Sequence, residues 1–179
     1  MTTETATIAG GCFWCTEAVF VELKGVESVE SGYIGGRMID PDYKSVCSGT
    51  TGHAEAVRII YDPSVLSYGD LLDIFFHTHD PTTLNRQGGD AGTQYRSAIF
   101  PHDAGQDAEA QAAIARNQAD WDAQIVTSIE ALATWYRAEQ YHQDYYKNNG
   151  ASNGYCSVVV GPKLAKFRKG YAARLKVAA

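Results

Sequence analysis

The chain has 179 residues, of which 45% are hydrophobic and 20% are charged. This composition suits one globular domain and excludes a disordered, collagen-like or coiled-coil protein. No apolar run approaches the roughly 18 residues of a membrane helix, and the first residues lack the basic start and apolar stretch of a signal peptide. We therefore expect a cytoplasmic protein with no membrane association, whose four cysteines are catalytic, redox-active, metal-binding or core residues rather than a disulfide framework.

The net charge of −6 is unevenly distributed. Residues 1–160 contain 9 basic and 21 acidic residues, whereas the part after Gly161 contains 6 basic residues and no acidic ones. An acidic body does not attract nucleic acid, so we expect no nucleic-acid partner. We interpret the basic end, from about residue 162, as a solvated helix or tail packed by Leu164, Phe167 and Tyr171. A phosphate-binding arm is the alternative.

The first third of the chain predicts three strands and one helix. Residues 5–9 alternate polar and β-favouring side chains and predict a strand. The pair Gly10-Gly11 ends this pattern, and residues 12–23 then carry apolar side chains at helical spacing. Residues 26–34 and 53–61 alternate again and predict two further strands.

The middle of the chain predicts two helices and one more strand. Ser67 stands before an apolar helical stripe with Asp70 three residues later, which predicts a capped helix of about three turns. Residues 80–93 are rich in Gly and Asp and predict a long loop, and residues 95–100 predict a strand. Residues 103–122 predict an alanine-rich helix capped by its first residue, an aspartate.

The predicted order of elements, β-α-β-β-α-β, favours an α+β fold. In such a fold a mixed sheet carries helices packed on one face, and this order is ferredoxin-like. We see no repeat and no linker, so residues 1–179 are predicted to form a single domain.

The most informative segment is Gly10-Gly11-Cys12-Phe13-Trp14-Cys15-Thr16-Glu17. Two glycines after a strand allow a sharp turn into a helix, so Cys12 is expected at the helix start, where the unpaired amides lower a thiol pKa. Cys15 follows three residues later. Helical residues at this spacing have Cα atoms about 5 Å apart, inside the window of about 4.4–6.8 Å for a disulfide. The two thiols are therefore able to form a reversible disulfide.

Other interpretations of the cysteines and glycines are weaker. Zinc needs about four ligands, and the chain has a single C-x-x-C with Cys47, Cys156 and the nearby histidines isolated, so we predict no metal site. The glycine-rich residues 88–92 lack the ending of a phosphate-binding loop. No flavin or nicotinamide fingerprint is present, so we predict no bound cofactor. A dithiol exchange protein and a zinc- or thiol-binding module remain as rivals.

Four blocks of the chain together closely resemble the peptide methionine sulfoxide reductase A family. They are Gly11-Cys12-Phe13-Trp14, Gly52-His53-Ala54-Glu55, Asp80-Pro81-Thr82 and Gly92-Thr93-Gln94-Tyr95-Arg96-Ser97. The resemblance extends over residues 8–167, with the blocks in the family's order. It implies reduction of methionine S-sulfoxide, free or in oxidised proteins, by attack of Cys12 on the sulfoxide sulfur.

The resemblance also implies roles for other residues. Glu55 corresponds to the carboxyl that protonates the sulfoxide oxygen, and burial would raise its pKa so that it can donate. Tyr43 and Tyr95 correspond to the phenols that hydrogen-bond this oxygen. Phe13 and Trp14 would form the apolar wall for the methyl group, although Phe13 suits the core equally well. Four further residues resemble outer parts of the pocket: Asp90, His142, Tyr145 and Tyr155.

The sequence departs from the commonest family pattern in its second cysteine. After the reaction Cys12 is a sulfenic acid, which condenses with another thiol. The family usually has Gly where this chain has Cys15, and resolving cysteines in a glycine-rich tail. We favour Cys15 over Cys156 for this step and interpret Cys47 as a buried thiol without a redox role. The resemblance implies thioredoxin as the electron donor and a monomer as the default state.

Overall fold

The computed structural model describes residues 2–177, which form eight strands and six α-helices. The strands are β1 (Glu4–Gly10), β2 (Val26–Ile34), β3 (Ala54–Tyr61), β4 (Arg86–Gln87), β5 (Asp90–Ala91), β6 (Ser97–Ile99), β7 (Ser128–Ile129) and β8 (Tyr136–Arg137). The α-helices are α1 (Phe13–Phe20), α2 (Tyr43–Cys47), α3 (Tyr68–Thr78), α4 (Ala104–Asn117), α5 (Tyr145–Asn149) and α6 (Gly161–Gly170). A π-helix, Cys156–Val160, leads directly into α6.

Six strands form one mixed sheet in the order β7-β6-β1-β3-β2-β8, and β4 pairs with β5 in a separate hairpin. The pair β6–β7 is parallel, whereas β6–β1, β1–β3, β3–β2 and β2–β8 are antiparallel. This confirms the predicted α+β class. The order β6-β1-β3-β2 of the four principal strands is compatible with a ferredoxin-like arrangement.

The antiparallel pairing brings the chemically interesting segments to one end of the sheet. Gly10 at the end of β1 pairs with Ser97 at the start of β6. Ile34 at the end of β2 pairs with Ala54 at the start of β3. The chain therefore leaves β1 and β2, and enters β3 and β6, at the same end of the sheet.

Alternation along β3 separates the two faces of the sheet. Val57, Ile59 and Tyr61 belong to the principal core, which also contains side chains from α1, α3, α4 and α6. Ala54 and Ala56 point to the opposite face, where a smaller apolar cluster is covered by Trp135. Glu55 shares the face of Val57, so its carboxyl points towards the helices.

Both predicted helix caps are confirmed. The Ser67 side chain accepts a hydrogen bond from the Asp70 N–H at the start of α3, and Asp103 accepts one from the Gln106 N–H at the start of α4. Each cap satisfies one of the amides that a helix start leaves unpaired.

Several predicted boundaries are wrong because short turns and a hairpin take over at the element ends. The helix predicted over residues 12–23 ends at Phe20, where 3₁₀-type bonds such as Leu23 N–H to the Phe20 carbonyl replace the α pattern. Helix α4 likewise ends at Asn117, before a 3₁₀ turn. The strand predicted from residue 95 begins at Ser97, because Tyr95 closes another 3₁₀ turn. The predicted loop 80–93 contains the β4–β5 hairpin.

The basic C-terminal segment is a packed helix. Leu164 and Phe167 on α6 are buried in the principal core, as predicted, and Tyr171 packs at its edge. An isolated bridge between Leu23 and Leu175 holds the chain beyond this helix. Over residues 2–177 no helix has the length and apolar character needed to cross a membrane.

Candidate active site

Cys12 occupies the first position of the site, between β1 and α1. It is the N-cap of α1, with an extended backbone, and 8% of it is exposed. Gly11 before it has φ of +89°, and a Cβ there would lie 2.6 Å from Gln87 Cγ. Both the backbone conformation and the lack of space therefore require glycine. This glycine turn places the Cys12 thiol at the helix start, as predicted.

Glu55 lies directly beside Cys12. Its Oε2 accepts a hydrogen bond of 3.1 Å from the Phe13 N–H, the first amide after Cys12. The side chain is 1% exposed. Burial raises the pKa of Glu55 to about 8, and the Phe13 amide opposes this only in part. The carboxyl is therefore protonated at neutral pH and has a proton to donate.

The lowered pKa predicted for Cys12 is wrong. The pKa of its thiol is raised well above the ordinary value by a hydrogen bond with Cys15, by burial and by the charge of Glu55. These effects outweigh the amides at the helix start. In the same pair, the hydrogen bond from Cys12 lowers the pKa of Cys15 to about 7, with help from Lys163 and Tyr155. The pair thus carries its first negative charge more readily on Cys15.

Tyr43 and Tyr95 bring phenol groups to the same region. Tyr43 begins α2, which Asp42 caps through the Ser45 N–H at 2.8 Å, and Tyr95 ends the 3₁₀ turn before β6. Burial is the largest cause that raises the pKa of each phenol, and the charge of Glu55 adds to it in both. Both groups therefore remain protonated hydrogen-bond donors near the Glu55 carboxyl.

Cys47 is exposed, so its interpretation as a buried thiol is wrong. On the short helix α2 it is Val46 that points into the core, and the next residue is rotated towards solvent. Cys47 lies one helical turn from Tyr43, and the two side chains share a hydrogen bond.

Trp14 is enclosed by polar aromatic side chains. Its ring stacks on Tyr145 with a centroid distance of 3.8 Å and an interplanar angle of 4°. Tyr155 meets its edge at 5.8 Å. The indole Nε1 donates a hydrogen bond of 3.0 Å to His142 Nδ1. Trp14 is therefore held in one orientation by three of the predicted pocket residues.

Phe13 belongs to both the core and the site. It is 1% exposed and lies in the principal core, where its ring packs on Tyr33 at 5.7 Å. The same ring lies 5.1 Å from His142, and His142 in turn lies 4.4 Å from Tyr43. Burial lowers the pKa of His142, which favours the neutral ring. Since its Nδ1 accepts from Trp14, the proton is on Nε2.

The β4–β5 hairpin brings Asp90 to the site from the other side. The Tyr155 hydroxyl donates a hydrogen bond of 2.5 Å to Asp90 Oδ2. The same hydroxyl lies within reach of Cys15, and its single proton, when donated to the thiolate instead of to Asp90, contributes to the lowered pKa of that thiol. Asp90 is thereby linked to both Trp14 and the cysteine pair through one phenol.

Cys156 is a neighbour of Cys15 on the side of the π-helix. It is fully buried at the first position of the π-helix, where its N–H donates to Asn153 Oδ1 at 3.2 Å. Burial and then the charge of Cys15 raise the pKa of its thiol. All four cysteines are free.

Comparison with known proteins identifies the family of the chain. The family model described as peptide methionine sulfoxide reductase matches residues 4–175. Peptide methionine sulfoxide reductase MsrA of Erwinia tasmaniensis is 63% identical over 173 residues, which are 97% of each chain. The chain belongs to the peptide methionine sulfoxide reductase A family. It is accordingly an oxidoreductase that reduces peptide methionine sulfoxide.

Solved structures of the family share the fold. Mxr1 from Saccharomyces cerevisiae in reduced form has a TM-score of 0.81 at 36% identity, covering 85% of this chain and 88% of that chain. The same yeast protein in complex with Trx2 has a TM-score of 0.58 at 26% identity, covering 80% and 84%.

Two carboxyl groups of this reductase were missed by the sequence analysis. Glu139 accepts hydrogen bonds from the Tyr33 hydroxyl, the Tyr43 N–H and the Tyr141 hydroxyl, and so connects three aromatic residues around His142. Glu17 accepts hydrogen bonds from the backbone N–H groups of Asp144 and Tyr145, the second of which stacks on Trp14. The available signal was their position, since Glu17 lies within the cysteine motif and Glu139 three residues before His142.

Proposed function

We propose that the chain reduces the S epimer of methionine sulfoxide, in peptides or as the free amino acid, with Cys12 as the nucleophile. The position of Glu55 carries this proposal. Its buried carboxyl accepts the Phe13 N–H at 3.1 Å, and burial raises its pKa to about 8. A protonated acid beside a thiol suits a sulfoxide, because the oxygen must gain a proton as the sulfur is attacked.

In the first step a bond forms between Cys12 sulfur and the sulfoxide sulfur. Glu55 donates its proton to the oxygen, to which the hydroxyls of Tyr43 and Tyr95 donate hydrogen bonds. The proton of the Cys12 thiol replaces the one that Glu55 gave up. The hydroxyl then passes to Cys12 and methionine leaves, so that one thiol and one sulfoxide become one sulfenic acid and one thioether.

The aromatic surroundings fit the substrate. Trp14, which is half-buried, offers the apolar wall to the methyl group, and Phe13 lies beside it in the core. Trp14 is oriented by its stack on Tyr145 and its hydrogen bond to His142. Asp90 and Tyr155 are hydrogen-bonded to each other beside Trp14, and we assign to them the contact with the peptide backbone of the substrate.

We assign the second step to Cys15. Its thiol shares a hydrogen bond with Cys12 in the reduced protein, so the two sulfur atoms are neighbours. Lys163 and Tyr155, which also lower the pKa of Cys15, still favour its thiolate after Cys12 has become a sulfenic acid. The thiolate attacks the Cys12 sulfur, a disulfide forms, and the hydroxyl leaves with a proton as water. Cys156 is the weaker candidate, because it is fully buried and burial raises the pKa of its thiol.

The disulfide is then reduced by an external dithiol, for which thioredoxin is our proposal. The support is the yeast relative Mxr1, whose structure in complex with Trx2 shares the fold of this chain. We expect a monomer, a single domain and a cytoplasmic location, as the sequence analysis predicts.

The test is single-turnover reduction of each sulfoxide epimer by pre-reduced protein, followed by peptide mapping of the resulting disulfide. We expect consumption of the S epimer alone, a Cys12–Cys15 disulfide, and no methionine from Cys12→Ser. A Cys12–Cys156 disulfide would retain the reaction but replace the resolving thiol. If neither epimer reacts while Cys12 and Cys15 still exchange with protein disulfides, the protein is a dithiol exchange protein.

A further inference from the structure

Glu17 is a buried acid for which the reaction above has no use. It lies in the middle of α1, and 2% of it is exposed. A carboxylate in such a position is costly unless hydrogen bonds compensate for its lost hydration. Its partners therefore indicate what it contributes.

Both partners are backbone amides of a single turn. Glu17 Oε1 accepts the Asp144 N–H at 2.9 Å, and Oε2 accepts the Tyr145 N–H at 3.2 Å. Asp144 has φ of +51°, in the left-handed region that side chains other than glycine, asparagine and aspartate rarely adopt. An aspartate tolerates this conformation, and the two hydrogen bonds from its own N–H and the next one to Glu17 hold the turn that begins α5.

This turn carries the residues that orient Trp14. Tyr145, whose amide Glu17 binds, stacks on the Trp14 ring at 3.8 Å, and His142 lies just before the turn and accepts the indole N–H. Trp14 and Glu17 are three residues apart on α1, so they lie on the same side of the helix. One helix therefore presents the tryptophan and also binds the segment that packs against it.

We propose that Glu17 is a positioning residue for substrate binding: through the amides of Asp144 and Tyr145 it holds the His142–Tyr145 segment against Trp14, and so fixes the orientation of the indole ring that forms the wall for the methyl group. This inference rests on the proposed function, because it needs Trp14 to contact the substrate. It concerns binding rather than the chemical step, since Glu17 contacts neither thiol.

Ionisation of Glu17 adds a pH dependence. Burial is the main cause that raises its pKa to about 7, the negative charge of Asp144 adds to this, and the two amides oppose it. The groove of about 280 Å³ beside Glu17 also presents Tyr146 and Lys147 on α5, Arg168 on α6 and Glu22 after α1. Arg168 is engaged by Glu22. Above about pH 7 the Glu17 carboxylate accepts hydrogen bonds from both backbone N–H groups. Below this pH one of its oxygens carries a proton, so that oxygen no longer accepts its hydrogen bond.

The experiment is single turnover by pre-reduced protein over a range of concentrations of the S epimer of N-acetyl-methionine sulfoxide amide, which yields a half-saturation concentration and a limiting rate constant. At pH 8 we expect Glu17→Gln to raise the half-saturation concentration about tenfold, because the amide nitrogen of glutamine opposes a backbone N–H, while the limiting rate constant changes less than about twofold. Glu22→Gln removes the same charge near the same helix and should behave as wild type.

The pH series is a second readout, taken on wild type and Glu17→Gln together. In wild type the half-saturation concentration should rise more steeply as the pH falls from 8 to 6 than in Glu17→Gln, where only Cys15 and Glu55 of the site still titrate in this range. A constant wild-type value over this range would overturn the proposal even if the variant fails to fold. The proposal would also be overturned if Glu17→Gln had the half-saturation concentration of wild type, or if Glu17→Gln and Glu22→Gln changed this concentration equally. Failure of the proposed function is distinct, since wild type would then consume neither epimer.

Discussion

Two ionisable side chains at the centre of the site, Cys12 and Glu55, hold their protons at neutral pH. Burial is the main cause that raises the pKa of Glu55, with the charges of Asp90 and Cys15 adding to it. The pKa of Cys12 is raised by its hydrogen bond with Cys15, by burial and by the charge of Glu55. The consequence is a resting site with a proton available for the sulfoxide oxygen. The nucleophile does not need to be a free thiolate, because its proton moves as the new sulfur–sulfur bond forms.

The pH dependence of the chemical step tests the role of Glu55. Since burial raises its pKa to about 8, the acid is present below pH 8 and lost above it. We expect the limiting single-turnover rate of wild type to fall as the pH rises through about 8. Glu55→Gln, which has no proton to give, should react about 10²–10⁴-fold more slowly and without this fall. An unchanged rate in Glu55→Gln would remove it from the mechanism.

The second thiol is tested by separate serine variants. Cys15→Ser should release one methionine per protein and stop at the sulfenic acid, because Cys15 is the thiol that hydrogen-bonds Cys12. Cys156→Ser should complete the cycle with a thiol-dependent reductant. Trapping of the sulfenic acid with dimedone and counting of free thiols distinguish the two. Full turnover by Cys15→Ser would show that Cys15 is not the resolving thiol.

At the scale of elements, the site depends on how short segments leave the sheet. Gly11 directs the chain from β1 into α1, the Asp42 cap starts the short helix of Tyr43, and the β4–β5 hairpin brings Asp90 to Tyr155. None of these segments contributes much to the core. Each determines where one functional side chain points.

Gly11→Ala tests this dependence. An alanine at φ of +89° is strained, and its Cβ would meet Gln87 at 2.6 Å, so we expect a loss of roughly 1–3 kcal/mol in the free energy of unfolding and slower single turnover. Gly88→Ala is the matched control, because it also has positive φ but nothing lies within 4 Å of the new Cβ. It should show the backbone cost alone and keep wild-type turnover. Equal losses in both variants would argue against the Gln87 contact.

At the scale of the whole molecule, the antiparallel strand order brings the site residues together at one end of the sheet. The exits from β1 and β2 and the entries to β3 and β6 meet there, as the pairs Gly10–Ser97 and Ile34–Ala54 demonstrate. The helices on that face then bury Glu55. The fold therefore provides both the proximity of the groups and the low-dielectric surroundings that alter their ionisation.

Burial of Glu55 should also appear in the stability of the whole protein. Its pKa is raised from 4.5 to about 8 on folding, so the folded state retains a proton that the unfolded chain loses above about pH 4.5. The free energy of unfolding of wild type should therefore fall relative to that of Glu55→Gln as the pH rises from about 4.5 to 8, and level off above it. Urea denaturation of both proteins across this range measures the difference. A constant difference would contradict the burial of an ionisable group.

The sequence by itself determined the family and the α+β class, along with the caps Ser67 and Asp103 and the helix start at Cys12. These are local properties: turn chemistry, capping and alternation act over a few residues, and a motif is read where it stands. Boundaries such as the end of α1 at Phe20 were not predictable, because packing against the rest of the chain decides where a helix stops.

Only the tertiary structure decided the ionisation of the site and the partners of its buried acids. The pKa of Cys12 is raised rather than lowered because its neighbour Cys15 hydrogen-bonds it, and because the tertiary structure buries it and places the distant Glu55 beside it. Glu17 binds amides more than 120 residues away, at Asp144 and Tyr145. Burial and charge proximity depend on segments that are remote in sequence, and no local pattern encodes them.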